Sequence, residues 1–283
     1  MILRQNENAL LLAGVACYFA AMLFLWAHVF LRADDATRQS DLWHRRAAIF
    51  GHYALGFGVL AHGLSLLGQG SALFSVRVGV AGLFGWILAA SYLLLGRRIG
   101  RETLGAFVAP VVFLAALYSL APSPLHRSVR AEQLETQWLV VHVILILLGY
   151  VSLAFAFASS LLYLLQEGLL KRKKLAGLWQ RLPSLQVADE LIYRATSFGL
   201  ALLTLGIVTG IAWQQRHQNN YAALSDPKVL FTLATWLTFA IYLVARWLLG
   251  WRGRRTNLVV ICGFVLLVIS FFGAPHVLPA IAR

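Results

Sequence analysis

The run LVVHVILILLGYVSLAFAFASSLLYLL, from Leu139 to Leu165, decides the fold. It contains no Asp, Glu, Lys or Arg. It exceeds the roughly 20 apolar residues that a helix needs to cross the hydrocarbon core of a bilayer. Gln137 and Trp138 precede it, and His142 stands at its mouth. An imidazole at a membrane boundary can coordinate a metal or a haem iron, and its surroundings decide whether it does.

Seven further segments read the same way: Ala9–Leu31, Ala47–Leu67, Val76–Leu95, Leu104–Leu120, Thr196–Trp213, Val229–Leu249 and Leu258–Leu278. Hydrophobic residues make up 60% of the 283 and charged residues only 12%, at a mean hydropathy of +0.73. A water-soluble domain carries about twice that charge. In hydrocarbon, backbone groups must be satisfied within the segment. The expected fold is therefore all-α: a polytopic bundle of eight transmembrane helices in a single membrane domain, 1–283. The fourth segment is short and holds Pro110, so a kink or tilt is expected there. The first run is long enough to span and lacks a small-residue cleavage site, so no cleavable signal peptide is expected.

A formal net charge of +13 invites a nucleic-acid reading, but its distribution argues otherwise. Of the 24 Lys and Arg, 17 fall in loops one, three, five and seven or at the adjoining helix ends. By the positive-inside rule those loops are cytoplasmic and both termini lie outside. The charge then sets orientation and meets anionic lipid headgroups. Cys17 and Cys262 both lie in apolar runs with no Cys-x-x-Cys pair, so they read as small buried hydrophobes.

The longest connection, Gln166–Ala195, opens with Lys171-Arg172-Lys173-Lys174 and turns through Leu182-Pro183-Ser184. Ser184 is a helix N-cap by type, so a helix over Leu185–Arg194 is expected to run on into the sixth span. Gly206 and Gly210 form a small-xxx-small spacing suited to close packing within the bundle. Asp226 followed by Pro227 reads as a cap and first helical residue of the seventh span.

The eight histidines sort by depth on this topology. His28 and His44 lie toward the cytoplasmic side, and His126 and His217 in outer loops. His52 and His62 share the second span, about 15 Å apart along its axis, too far to bind one iron. His62, His142 and His276 all lie near the outer face. Polar groups inside a membrane are costly and tend to face the bundle interior. Two imidazoles on opposite faces of a porphyrin make a six-coordinate haem. The competing reading of His142 is an interfacial anchor, like Trp138.

Several stretches carry a family resemblance in their order: Trp138–His142 through Leu148-Gly149-Tyr150, Arg181–Leu185, Leu203–Gly210, Asp226-Pro227-Lys228, Ala234-Thr235-Trp236-Leu237 and Gly250–Arg255. Over about 138–279 the chain resembles the cytochrome c assembly proteins, a haem-handling family. The resemblance implies membrane helices that carry or present non-covalent, b-type haem at the outer face of a bacterial inner membrane. His142 falls on the family's periplasmic histidine before a tryptophan-rich loop. Asp226-Pro227-Lys228 is what remains of that loop's Trp-x-Trp-Asp-Pro-Lys-Glu core. Ala223 and Ser225 stand where tryptophans are expected, and Val229 replaces the Glu. The second outer histidine falls on Ala282, and its partner in the seventh span on Val244. These departures make the chain more similar to the short HemX-type branch. His62 aligns with a second-span histidine there, which pairs it with His142 as axial ligands of haem iron. His276 is the reserve ligand, and Asp226 and Trp236 are expected beside the cofactor.

The expected function is haem handling in cytochrome c biogenesis or in control of haem levels. Cytochrome c maturation or tetrapyrrole-synthesis proteins are the expected partners, and nucleic acid is not. The alternative is a haem-free regulatory or accessory subunit acting through the basic loop 166–195. No enzyme in the ordinary sense is expected, since the spans hold no Asp or Glu and no nucleophile–base pair is readable. A role within a haem lyase or synthase complex stays open. A solute transporter lacks an inverted repeat and a paired carboxylate.

Overall fold

The computed structural model describes residues 2–30, 38–69, 77–99, 102–121, 137–171, 183–217 and 227–273. They form eight α-helices: α1 Ile2–Phe30, α2 Arg38–Gln69, α3 Arg77–Ile99, α4 Glu102–Tyr118, α5 Gln137–Lys171, α6 Leu185–His217, α7 Pro227–Leu248 and α8 Arg254–Val268. A π-helical turn, Ile269–Gly273, continues α8. Seven of the helices are long and apolar enough to cross a membrane. The exception is α4, at 17 residues with Pro110 inside.

Pro110 has no N–H to offer the carbonyl of Ala106, four residues earlier. That carbonyl accepts instead from the indole Nε1–H of Trp26 on α1, at 2.6 Å. A side chain from a neighbouring helix thus fills the gap in the ladder.

The helix surfaces show why the chain belongs in lipid. On α2, Tyr53, Phe57, Leu60, Leu64 and Leu67 are exposed at helical spacing, while Leu55, His62, Ser65 and Leu66 are buried. On α6, Phe198, Leu205, Val208 and Ile211 face outward while Leu203 faces in. Continuous apolar stripes of this length are rare on soluble monomers and ordinary against acyl chains. Cys262 is exposed and Cys17 half-buried. The buried reading fails for Cys262, because it sits on the outward face of α8, where lipid tolerates a small apolar side chain.

Two compact units divide the chain: Met1–Glu135 with Leu162–Ala188, and Thr136–Leu161 with Asp189–Arg283. In the first, Met22, Leu25 and Val29 of α1 pack on Ala106 and Ala109 of α4, with Phe107 and Phe113 against them. The end of α5 is tied to the start of α6 by Gln166, whose Nε2–H donates to the Pro183 carbonyl. Ser184 caps α6 as expected: its Oγ accepts from the Val187 N–H at 3.3 Å. The helix then runs unbroken from Leu185 to His217.

In the second unit, Phe157 stacks on Phe264 with ring centroids 4.2 Å apart and planes 17° from parallel. Gly263 lets Phe239 approach, since a Cβ there would lie 2.9 Å from the Phe239 ring. Tyr150 is buried edge-on to Phe271 at 5.7 Å and hydrogen-bonds with Thr232 and Ser270. Ser270 stands in the π-helical turn, and its hydroxyl is 2.9 Å from that of Thr232. A π turn leaves backbone groups off the ordinary ladder.

Candidate functional site

The second unit is built on an antiparallel seam between α5 and α6. Side chains of α5 donate to backbone carbonyls of α6 at successive levels. Trp138 Nε1–H reaches the Thr209 carbonyl at 2.9 Å. His142 Nδ1 lies 2.7 Å from the Gly206 carbonyl. Ser152 Oγ–H reaches the Ala195 carbonyl at 2.9 Å. Between the last two levels the backbones come close: a Cβ on Gly149 would lie 3.2 Å from the Gly199 carbonyl oxygen and from the Leu203 nitrogen. Glycine at these crossings is the small-residue interface that membrane helices use.

The seam seats His142. The carbonyl at Nδ1 is a pure acceptor, so the neutral ring carries its proton on Nδ1 and its lone pair on Nε2. Thr209 Oγ1 lies 3.4 Å from the same nitrogen. On α6, Gly210 leaves the room the ring needs, because a Cβ there would stand 2.7 Å from His142 Cε1. His142 is half-buried in this seat. A histidine held by an Nδ1–H bond to a backbone carbonyl, with Nε2 as its acceptor, has the arrangement of a metal-ligating imidazole. The residues around His142 therefore fit a side chain that would hold a haem iron.

His62 belongs to the first unit and is fully buried. Among the described residues, neither of its ring nitrogens has a hydrogen-bond partner, nor has the hydroxyl of Tyr18. Tyr18 stands edge-on to it at 5.8 Å. Gly14 lies against His62 Cβ and Gly82 against Nε2, where a Gly82 Cβ would be 3.2 Å away. The imidazole is therefore both unsatisfied and closely enclosed, and a macrocycle reaches Nε2 only if α3 shifts off α2. His62 and His142 fall in different units.

His28, His44 and His52 have structural work. His28 and His44 clasp α1 to α2, each Nδ1 facing the other's carbonyl at 2.9 and 3.2 Å. His52 donates from Nδ1 to Ala48 at 2.7 Å, and its Nε2 lies 3.1 Å from the Tyr92 hydroxyl. Trp236 donates its Nε1–H to Thr204 Oγ1 at 2.8 Å, binding α7 to α6. Val244 is exposed on α7. His276 and Asp226 lie outside the described residues, as do Ala223, Ser225 and Ala282. No group of three or more His, Cys, Asp or Glu gathers among the described residues.

The model of the cytochrome c assembly protein family matches residues 75–280. The chain belongs to this family. The match takes in α3 and α4 as well as the helices from α5 onward, a wider region than the motifs alone delimited. Among curated relatives, the cytochrome c biogenesis protein CcsA of Mesostigma viride is 28% identical over 211 residues, covering 66% of this chain and 69% of the relative. The protein of the same name from Guillardia theta is 31% identical over 206 residues, covering 66% and 68%. That from Prochlorococcus marinus is 28% identical over 218 residues, with the same 66% and 68%. No solved structure matches. Within the family region, His142 stands out in the sequence, whereas the carbonyl that seats it does not. The seam itself leaves a signal: Trp138, His142 and Ile146 recur every four residues on α5, and Gly206 and Gly210 repeat at the same interval on α6.

Proposed function

We propose that this multi-pass membrane protein handles haem in cytochrome c biogenesis, and that His142 is an axial ligand of the haem it carries. The observation that carries the reading is the seat of His142 in a chain of this family. Haem, when bound, supplies a Lewis-acidic iron and a planar anionic macrocycle for delivery to a partner. The chain's own residues do the rest. Gly206 fixes the tautomer of His142 through its carbonyl, and Gly210 makes room for the ring. Trp138 pins the start of α5 to Thr209, so the imidazole does not swing with a fraying helix end.

His62 is the proposed second ligand, with His276 in reserve. A buried imidazole with no partner costs about 1–3 kcal/mol, which coordination would recover. The loss of the loop tryptophans at Ala223 and Ser225 supports a carrier or regulator of the HemX type over a complete synthase. The proposed setting is a bacterial inner membrane, with the mouth of α5 on the outer side. Partners are maturation proteins that receive or deliver haem.

Haem titration into the detergent-purified protein, followed by quenching of tryptophan fluorescence, tests the reading. His142→Ala is expected to weaken binding at least tenfold. Equal affinity in wild type and variant would remove His142 from the site.

A further inference from the structure

The turn between α7 and α8 brings together groups that suit a bilayer surface. Trp247, Leu248, Leu249 and Trp251 are exposed, Leu248 by 79%. Arg252, Arg254 and Arg255 follow at once and are exposed as well. The turn is held in shape. Arg246 makes a bidentate pair with Asp189, at 2.9 and 2.8 Å. Its guanidinium lies 4.9 Å over the ring of Tyr193. Trp247 Nε1–H donates to the Tyr193 hydroxyl at 3.0 Å. Gly250 stops α7 in the left-handed region at φ 61°, and Gly253 turns the chain again at φ 86°. The Trp251 N–H returns to the Ala245 carbonyl at 3.2 Å.

Arg246 is therefore committed, whereas the three arginines of the turn are not. No hydrogen bond or ion pair engages Arg252, Arg254 or Arg255 among the described residues. The sequence offers no local counter-charge either, since 227–283 contains no Asp or Glu. Three uncompensated guanidiniums beside a block of exposed Trp and Leu match one chemistry. Indoles favour the headgroup level of a membrane, leucines its hydrocarbon, and the planar guanidinium fork fits a phosphate. A nucleic acid or a free anion would leave Leu248 and Leu249 in water.

We propose that the Trp247–Arg255 turn is a binding site for the phosphate headgroup of an anionic glycerophospholipid. Arg252, Arg254 and Arg255 hold the phosphate, and Trp247 and Trp251 anchor the turn at the interface. The Arg246–Asp189 pair positions the turn and does not touch the lipid.

Native mass spectrometry of the full chain in neutral detergent tests this. The probes are phosphatidylglycerol, phosphatidylcholine with the same acyl chains, and inorganic phosphate as competitor. Wild type is expected to prefer phosphatidylglycerol about tenfold or more. The triple variant Arg252→Gln/Arg254→Gln/Arg255→Gln is expected to lose about fivefold per arginine in phosphatidylglycerol binding, and with it the preference over phosphatidylcholine. Should the triple variant not fold, Arg255→Gln alone is expected to lose about fivefold. Arg45→Gln/Arg46→Gln, in another basic segment, is expected to keep the preference. Equal binding of the two lipids overturns the proposal, as does an unchanged preference in the arginine variants. An equal loss in the Arg45/Arg46 variant overturns it by pointing to net charge. Displacement of the lipid by equimolar phosphate overturns it by assigning the site to a free anion.

Discussion

At His142 the imidazole meets the Gly206 carbonyl and lies where Gly210 has no side chain. Substituting Gly210 by Val puts a Cβ about 2.7 Å from the ring carbon Cε1 and forces the imidazole out of its seat. Changes to the groups that orient a metal ligand typically cost about 10–100-fold in affinity. Gly210→Val is therefore expected to reduce haem affinity about tenfold or more although His142 itself is retained. Haem titration checks this, and wild-type affinity would show that the seat does not orient the ligand. His62→Ala separates the second ligand from a buried orphan: a six-coordinate, low-spin spectrum is expected to become five-coordinate and high-spin. An unchanged spectrum would pass the role to another residue. His142 was legible in the sequence because a polar residue at the mouth of an apolar run stands out. Its carbonyl partner was not, because a backbone acceptor carries no residue-type signal. His62 stands out as a polar residue inside an apolar run, while its enclosure by Gly14 and Gly82 depends on how three helices pack.

Among the elements, α4 and the α5–α6 seam show how neighbouring helices complete one another. Pro110 predicts a defect in α4 from sequence alone, and the structure shows Trp26 repairing it from α1. Trp26→Phe keeps the bulk and leaves the Ala106 carbonyl without that donor. The expected loss is about 1–2 kcal/mol of stability, read by thermal unfolding in detergent. No loss would mean that water or lipid satisfies the carbonyl. Along the seam, Gly199→Leu drives a side chain into Leu153, where even a Cβ would lie 2.9 Å away. Overpacking at such a crossing costs about 1–3 kcal/mol. Arg246→Ala leaves Asp189 largely buried without its partner, at an expected cost of about 3 kcal/mol. Helix existence was readable from hydropathy, and the continuation of Leu185–Arg194 into the sixth span from the Ser184 cap. Pairings such as Arg246 with Asp189 were not, since charged residues 57 positions apart in sequence have no local pattern that joins them.

For the whole molecule, composition is decisive for class and silent on detail. Apolar content requires a membrane bundle, and the exposed stripes on α2 and α6 agree with it. The distribution of Lys and Arg gives an orientation, which reporter fusions test. Both termini are expected on the side opposite the basic loop 172–182, and termini on opposite sides would mean that one segment does not span. Length limits that argument at α4, whose 17 residues reach only about 25 Å. The family region, 75–280, extends beyond the motif-bearing stretch and takes in α3 and α4. What the molecule does turns on the contact of His142 with iron. The absorbance spectrum of the protein purified from haem-supplemented cells measures this directly. A Soret band in wild type that is lost in His142→Ala is the expected result. A wild-type protein without the band, or a His142→Ala variant that retains it unchanged, would contradict haem ligation by His142.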